Sequence, residues 1–217
     1  MSDTRQEQLW RGQFGDDYTG RNIGRVRQNL QFFTEILYAR AIDYVLELGA
    51  GAGENLEAIR ILRPGIRLSA VEINREACAA IANARIACDI NNRSLFDFDP
   101  GSPLPDLVFT KGVLIHVAPE DLPRAFQTIH GCTSRYILLA EYHSPRLEPL
   151  PYRDQSQALW RGPYAEHMMD QYPDLELIAT GFASRYGRFP QDDLTWFLME
   201  KTRPRRAAGP ERGDTHV

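Results

Sequence analysis

The chain has 217 residues, 43% of them apolar, and a net charge of −4, which suits one domain with a sizeable core and modest additions. The charge is unevenly spread. Residues 201–217 hold five Arg/Lys against two acids, giving +3 and leaving −7 for residues 1–200, a balance that argues against a nucleic-acid-binding body.

The longest apolar runs fall far short of the ~20 residues needed to span a bilayer, and the opening MSDTRQEQLWRG holds no apolar signal core. A cytoplasmic protein without membrane attachment is expected, as a monomer or homodimer. Cys78, Cys88 and Cys132 have neither Cys-x-x-Cys spacing nor a His partner at metal-ligand distance in sequence, so buried free thiols and no metal site are expected.

In chain order, Trp10, Phe14 and Tyr18 recur every four residues, and Ile23, Val26, Leu30, Phe33 and Leu37 follow at spacings of three and four. Two amphipathic helices are predicted, broken at residues 18–22, with the aromatic stripe facing the core. Short apolar strands then alternate with helical patterns. Strands are predicted at 44–48, 68–73, 85–88, 106–110 and 135–142, and helices near 54–62, 75–83 and 120–131. Such alternation implies right-handed βαβ units, hence an α/β fold with a doubly wound, mostly parallel sheet.

After Tyr142 the stretch HSPRLEPLPYRD has too many prolines for regular structure. A short helix around 163–171 follows, then strands at 175–182 and 194–200 with no helix between them, which should pair antiparallel. The expected organisation is N-terminal helices (1–40) packed on a core domain (41–202), with a basic tail (203–217) whose Pro, Gly and Arg content predicts disorder.

Between the first strand and helix lies ELGAGAGEN (47–55). Gly49, Gly51 and Gly53 allow a tight turn there and let a ligand lie directly on the backbone. A dinucleotide fingerprint would need glycine at 54, but Glu54 puts a carboxylate at the helix N-terminus, where a pyrophosphate needs positive potential. A ligand with a cationic amine fits better, with Glu47 reaching it directly or through water. The next strand ends in Val71-Glu72-Ile73-Asn74, which places an acid 21 residues beyond Gly51, close to the ~20 at which a carboxylate accepts both ribose hydroxyls. S-adenosylmethionine (SAM) has such an amine, a ribose and a sulfonium.

Methyl transfer from a sulfonium requires alignment, exclusion of water and, for a hydroxyl acceptor, removal of a proton. Lys111 and His116 lie on the loop after strand four, where His116 is a candidate base or merely a loop-packing residue. Glu141, Tyr142 and His143 follow strand five, and Tyr152 and Arg153 stand in the proline-rich segment, a candidate lid. Each of these can equally make surface pairs or cap the core. Arg21 and Asn22, at the N-terminal break, are candidates for the cofactor carboxylate and the pocket wall.

ELGAGAGEN with VEIN resembles the glycine motif and ribose acid of class I SAM-dependent methyltransferases over about residues 40–200. That resemblance implies a Rossmann-like seven-stranded sheet, ordered 3-2-1-4-5-7-6 with strand 7 antiparallel. More narrowly, LWRGQFGDDYTGRN (9–22), SLFDFDP (94–100), DLVFTKGVLIHV (106–117), RYILLAEYHSP (135–145), PYR (151–153) and FPQDDLTWFLMEK (189–201) resemble the methylases associated with pseudaminic acid biosynthesis. The match implies adenine-side contacts at Ile73, Ser94 and Leu95. It also implies a role for Gln191, Asp192 and Asp193, whose carboxylates can bind an acceptor or only end a turn. The expected function is methylation of a small polar acceptor, a sugar or nucleotide-sugar of nonulosonic acid metabolism. The alternatives are a methyltransferase for an unrelated small metabolite and a non-catalytic SAM-binding protein.

Overall fold

The structure, a computed structural model, describes residues 3–21, 24–86, 88–152 and 157–202. Asn22, Arg153, the side chain of Arg21 and the tail at 203–217 lie outside the described residues.

The expected alternation is present. After α1 (Arg5–Arg11), α2 (Gln13–Arg21) and α3 (Val26–Leu37) come β1 (Tyr44–Leu48), α4 (Glu54–Leu62), β2 (Arg67–Glu72), α5 (Arg75–Ala84), β3 (Asp89–Asn92) and β4 (Leu107–Lys111). They are followed by α6 (Leu122–Gly131), β5 (Tyr136–Glu141), β6 (Glu148–Pro149), β7 (Trp160–Arg161), α7 (Tyr164–Gln171), β8 (Leu175–Ala183) and β9 (Leu194–Lys201). The main sheet has seven strands in the order β3-β2-β1-β4-β5-β9-β8. All neighbours up to β5 are parallel, and β9 runs antiparallel to both β5 and β8.

Alternation along buried strands divides the core into two layers. Val45, Leu68, Phe109 and Leu138 face α3 and α4, meeting Phe33, Ile36, Leu56 and Ile59. Leu46, Leu48, Val108, Ile137 and Leu139 face α6 and α7, meeting Phe126, Ile129 and Met168. Cys78 and Cys132 are buried free thiols, and Cys88 is half-buried. Among the described residues no helix is long and apolar enough to cross a membrane.

Three expectations are corrected. The N-terminal pattern makes three helices, because Gly12 adopts an extended conformation between α1 and α2. The third strand is Asp89–Asn92 and not 85–88. It is a polar edge strand held by backbone pairing to β2 and by the Asn92 amide, which donates to the Glu72 carbonyl at 3.0 Å. The proline-rich stretch contains regular structure after all: Glu148–Pro149 pairs antiparallel with Trp160–Arg161, and Arg161 bonds Glu148 at 2.9 Å.

Phe33 is fully buried, edge-on to Phe32 at 5.0 Å and to Phe109 at 5.2 Å between ring centroids, and so joins α3 to the centre of the sheet. Phe33→Ala should cost about 3–5 kcal/mol of unfolding free energy through lost burial and the cavity left behind. Urea denaturation of the variant against wild type checks this; a loss below about 1 kcal/mol would mean that α3 is not part of the cooperative core.

Candidate functional site

The carboxyl ends of β1, β2, β4 and β5 open into a cavity of about 430 Å³ lined by the glycine loop, Glu72, Ile73, Ser94, Leu95, Lys111 and His116. Its position, where strand order reverses between β1 and β4, is where ligands enter open α/β sheets.

The three glycines have distinct duties. All have positive φ, +77° at Gly49, +53° at Gly51 and +82° at Gly53. A Cβ on Gly49 would strike Val113 at 2.6 Å, and one on Gly53 would strike Ile81 at 2.9 Å, so these two permit packing. A Cβ on Gly51 meets nothing within 4 Å. Because Gly51 lines the cavity, its bare backbone is the surface on which a ligand can rest.

Glu72 stands at the tip of β2. Its Oε2 accepts the Gly51 N–H and its Oε1 the Asn74 N–H, both at 2.7 Å. Burial still pushes its carboxyl above the usual range. Glu47 is wholly buried beneath the loop and does not line the cavity directly. Asn55, which does, donates to Glu47 Oε1 at 2.6 Å, while Glu47 Oε2 is buried without a partner. Burial pushes Glu47 up to about 8. A cationic group reached directly or through water would supply the missing donor. Glu54 accepts the Gly24 and Arg25 backbone N–H groups and so clamps the N-terminal segment to α4.

Near Lys111, whose ammonium lies 5.8 Å from the Phe32 ring centre and whose pKa is lowered by burial, polar side chains form a chamber within the cavity. Tyr18, Arg25, Asn29, Tyr142, Tyr152 and Asp192 line it. Burial pushes the Tyr18 phenol up to about 12, so it stays a neutral hydrogen-bonding group. Arg25 is ion-paired with Asp192.

His116 lies at the cavity wall, edge-on to Trp10 at 4.6 Å and tilted on Tyr152 at 5.2 Å. Its Nδ1 is 2.8 Å from the Ala158 carbonyl. A carbonyl only accepts, so Nδ1 carries the proton and Nε2 the lone pair. Burial lowers its pKa to about 4, so the ring is neutral at physiological pH.

The structure does not gather every expected residue. Glu141 does not line the cavity; its carboxylate accepts Val113 N–H at 3.0 Å and Ile115 N–H at 3.4 Å. It therefore positions the loop that carries His116, and the expectation of a catalytic contact is corrected. His143 is turned away to Glu166 at 2.8 Å. Asp193, at φ +56°, caps the β8–β9 turn by accepting the Arg185 N–H at 2.7 Å, whereas its neighbour Asp192 does reach the chamber. Trp10 and Tyr18, expected in the core, line the cavity together, at 5.1 Å between rings. Arg25, Asn29 and Glu7 were missed altogether. The side chains of Arg25 and Asn29 are held in the site by contacts to residues over 160 positions away.

No protein-family model matches the chain, and no curated protein matches it significantly. Solved structures do. The Burkholderia thailandensis 1,6-didemethyltoxoflavin-N1-methyltransferase, with bound 1,6-didemethyltoxoflavin and S-adenosylhomocysteine (SAH), is similar at TM-score 0.68 and 16% identity, over 94% of this chain and 93% of that one. The plantazolicin methyltransferase BpumL in complex with SAH is similar at TM-score 0.65 and 13% identity, over 91% and 94%. The magnesium protoporphyrin IX methyltransferase of Synechocystis PCC 6803, also with SAH, is similar at TM-score 0.63 and 13% identity, over 90% and 97%. With the strand order above, these likenesses establish that the chain has the Rossmann-like fold of class I methyltransferases.

Proposed function

We propose that this protein is a SAM-dependent methyltransferase for a small polar acceptor, and that the acceptor is a sugar or nucleotide-sugar of nonulosonic (pseudaminic) acid metabolism. The observation that carries the first statement is the pairing of an open backbone at Gly51 with the Glu72 carboxylate on the same cavity, above a buried Glu47 that has one unpartnered oxygen. The three SAH-bound neighbours have the same fold. The sugar assignment rests on the sequence resemblance and on a chamber of tyrosine hydroxyls with an Asp192–Arg25 pair, groups suited to a polyhydroxylated acceptor.

In this reading Glu72 accepts the ribose hydroxyls, Glu47 with Asn55 takes the ammonium, and Lys111 supplies positive charge for the carboxylate of the amino-acid end. The cofactor, when bound, supplies an electrophilic methyl group on sulfur. The chain's own work is alignment and exclusion of water. Tyr18, Tyr142, Tyr152 and Asp192 orient the acceptor, and the neutral His116 takes a hydroxyl proton at Nε2. Glu141 holds the loop that presents His116.

Gly51→Ala should reduce SAH affinity at least about 10-fold while costing only about 1 kcal/mol of stability, because the new Cβ enters the cavity and not the core. Titration calorimetry and urea unfolding of the variant separate the two effects. Wild-type affinity would mean the ligand does not lie on the loop.

Cofactor binding should release a proton. Glu47, near 8 when unliganded, is largely protonated at pH 7 and must ionise to pair with an ammonium. Its affinity gain is therefore absent at low pH and grows by up to about tenfold per unit as pH approaches 8. Calorimetry in buffers of different ionisation enthalpy should find the release in wild type and its loss in Glu47→Gln; equal release in both would place the ammonium elsewhere.

For a hydroxyl acceptor, His116→Ala should lower turnover by about 10²–10⁴ with SAH affinity retained, and Asp192→Asn should chiefly raise the acceptor KM. Since His116 is neutral down to about pH 4, the wild-type rate should not fall through protonation of this group until pH approaches 4. Sugar nucleotides incubated with isotopically labelled SAM and screened by mass shift identify the acceptor. SAM binding with no transfer to any sugar, alongside transfer to another metabolite, would refute the sugar assignment; binding with no transfer at all would leave a non-catalytic SAM-binding protein.

A further inference from the structure

Helix α1 lies outside the βαβ core, yet Thr4, Gln6 and Glu7 line the cavity together with Ser94, Leu95 and Phe96. Glu7 is a buried carboxylate in a short helix, and part of its role is local. Its Oε2 accepts the Thr4 N–H at 2.7 Å, and the Thr4 hydroxyl accepts the Glu7 N–H at 3.1 Å, closing a capping box. The box occupies one carboxylate oxygen. The other is free of the box, and the nearby Ser94 hydroxyl acts on the same carboxylate. Burial raises the Glu7 carboxyl, but the Ser94 and Thr4 bonds outweigh burial and hold it below the ordinary range, with Arg124 adding to the effect. An ionised acceptor therefore lines the cavity near Ser94, just beyond the tip of β3, the strand next to the one that carries Glu72.

We infer that Glu7 reads the cofactor's adenine, accepting from the exocyclic N6 amino group beside Ser94, so that base selectivity comes from an N-terminal helix and not from the sheet alone. The inference rests on the SAM reading above. An ionised carboxylate offers no donor, so it accepts from the amino group of adenine and repels the O6 carbonyl of hypoxanthine. A second acid, Asp121, lines the same cavity and is raised by burial. Unlike Glu7 it has no bond to Ser94 among those that hold Glu7 in place, and it serves as the control.

The test compares binding of SAH and of its inosine counterpart, S-inosylhomocysteine, to wild type, Glu7→Gln and Asp121→Asn by calorimetry. Glutamine keeps the capping box, because its amide oxygen can still accept the Thr4 N–H; its NH2 is then left to face the purine. Wild type should prefer the adenine ligand. Glu7→Gln should lose about 10- to 100-fold in SAH affinity, gain affinity for the inosine ligand, and keep its melting temperature, whereas Asp121→Asn should keep the wild-type preference. SAH binding with unchanged base preference in Glu7→Gln, or a switch produced by Asp121→Asn in its place, overturns this inference alone. Failure of wild type to bind SAH overturns the cofactor reading and this inference with it.

Discussion

The bond pair at the tip of β2 is the constraint on which the rest of the site depends. Through Gly51 and Asn74, the Glu72 carboxylate ties the loop after β1 to the start of α5. Asn74 extends the tie in two directions. Its Oδ1 accepts the Ala77 N–H and caps α5, while its amide nitrogen donates to the Trp10 carbonyl at 3.1 Å and to Asp16 at 2.7 Å. One acid thus fixes the shape of the glycine loop, the position of a core helix and the docking of α1 and α2 over the cavity. Gly15 completes the contact: a Cβ there would strike the Trp10 carbonyl at 1.9 Å and the Asn74 amide at 2.8 Å.

The same device recurs at the ends of β1 and β5. Glu47 is joined to the first turn of α4 through Asn55, and Glu141 holds the backbone of the loop after β4. Each charge-assisted bond is worth roughly 1.5–3 kcal/mol, whereas burying a carboxylate costs several kcal/mol. Burial wins in all three, since each carboxyl is raised, Glu141 to about 7 and Glu47 to about 8. The three differ in what would relieve them. Glu141 is held by groups of the protein itself, chiefly the backbone of the loop after β4. Glu72 lines the cavity with both oxygens already bonded, whereas Glu47 keeps one buried oxygen without a partner, and in the reading proposed above a ligand's hydroxyls and ammonium offset the cost of burial.

Much of this was legible in the sequence wherever one local signal sufficed. The strand YVLEL and the helix after Gly53 have the expected boundaries, because a buried β-run, a glycine turn and an apolar helix face agree there. The third strand was misplaced for the opposite reason. Ile86 and Cys88 carry the apolar signal, but Asp89-Ile-Asn-Asn does the pairing, and an edge strand held by backbone and amide bonds need not be hydrophobic. The aromatic stripe was half-read. Trp10 packs edge-on against both Phe14 and Tyr18, but across the break at Gly12 between α1 and α2, and Trp10 and Tyr18 line the cavity.

The acceptor chamber was less legible because it is assembled from distant segments. Arg25 meets Asp192 across 167 positions, and the buried Gln191 amide meets Asn29 across 162. No window of sequence holds both partners, and each residue alone fits an ordinary surface charge or a helix polar face. Neighbouring acids make the point directly. Asp192 and Asp193 are indistinguishable as letters, but the positive φ of Asp193 turns it back onto Arg185, while Asp192 projects to Arg25 and the chamber. The glycine loop is a local motif and could be read from one stretch. Which carboxylate touches a substrate is decided by backbone direction at a turn, and that appears only once β8 and β9 have paired.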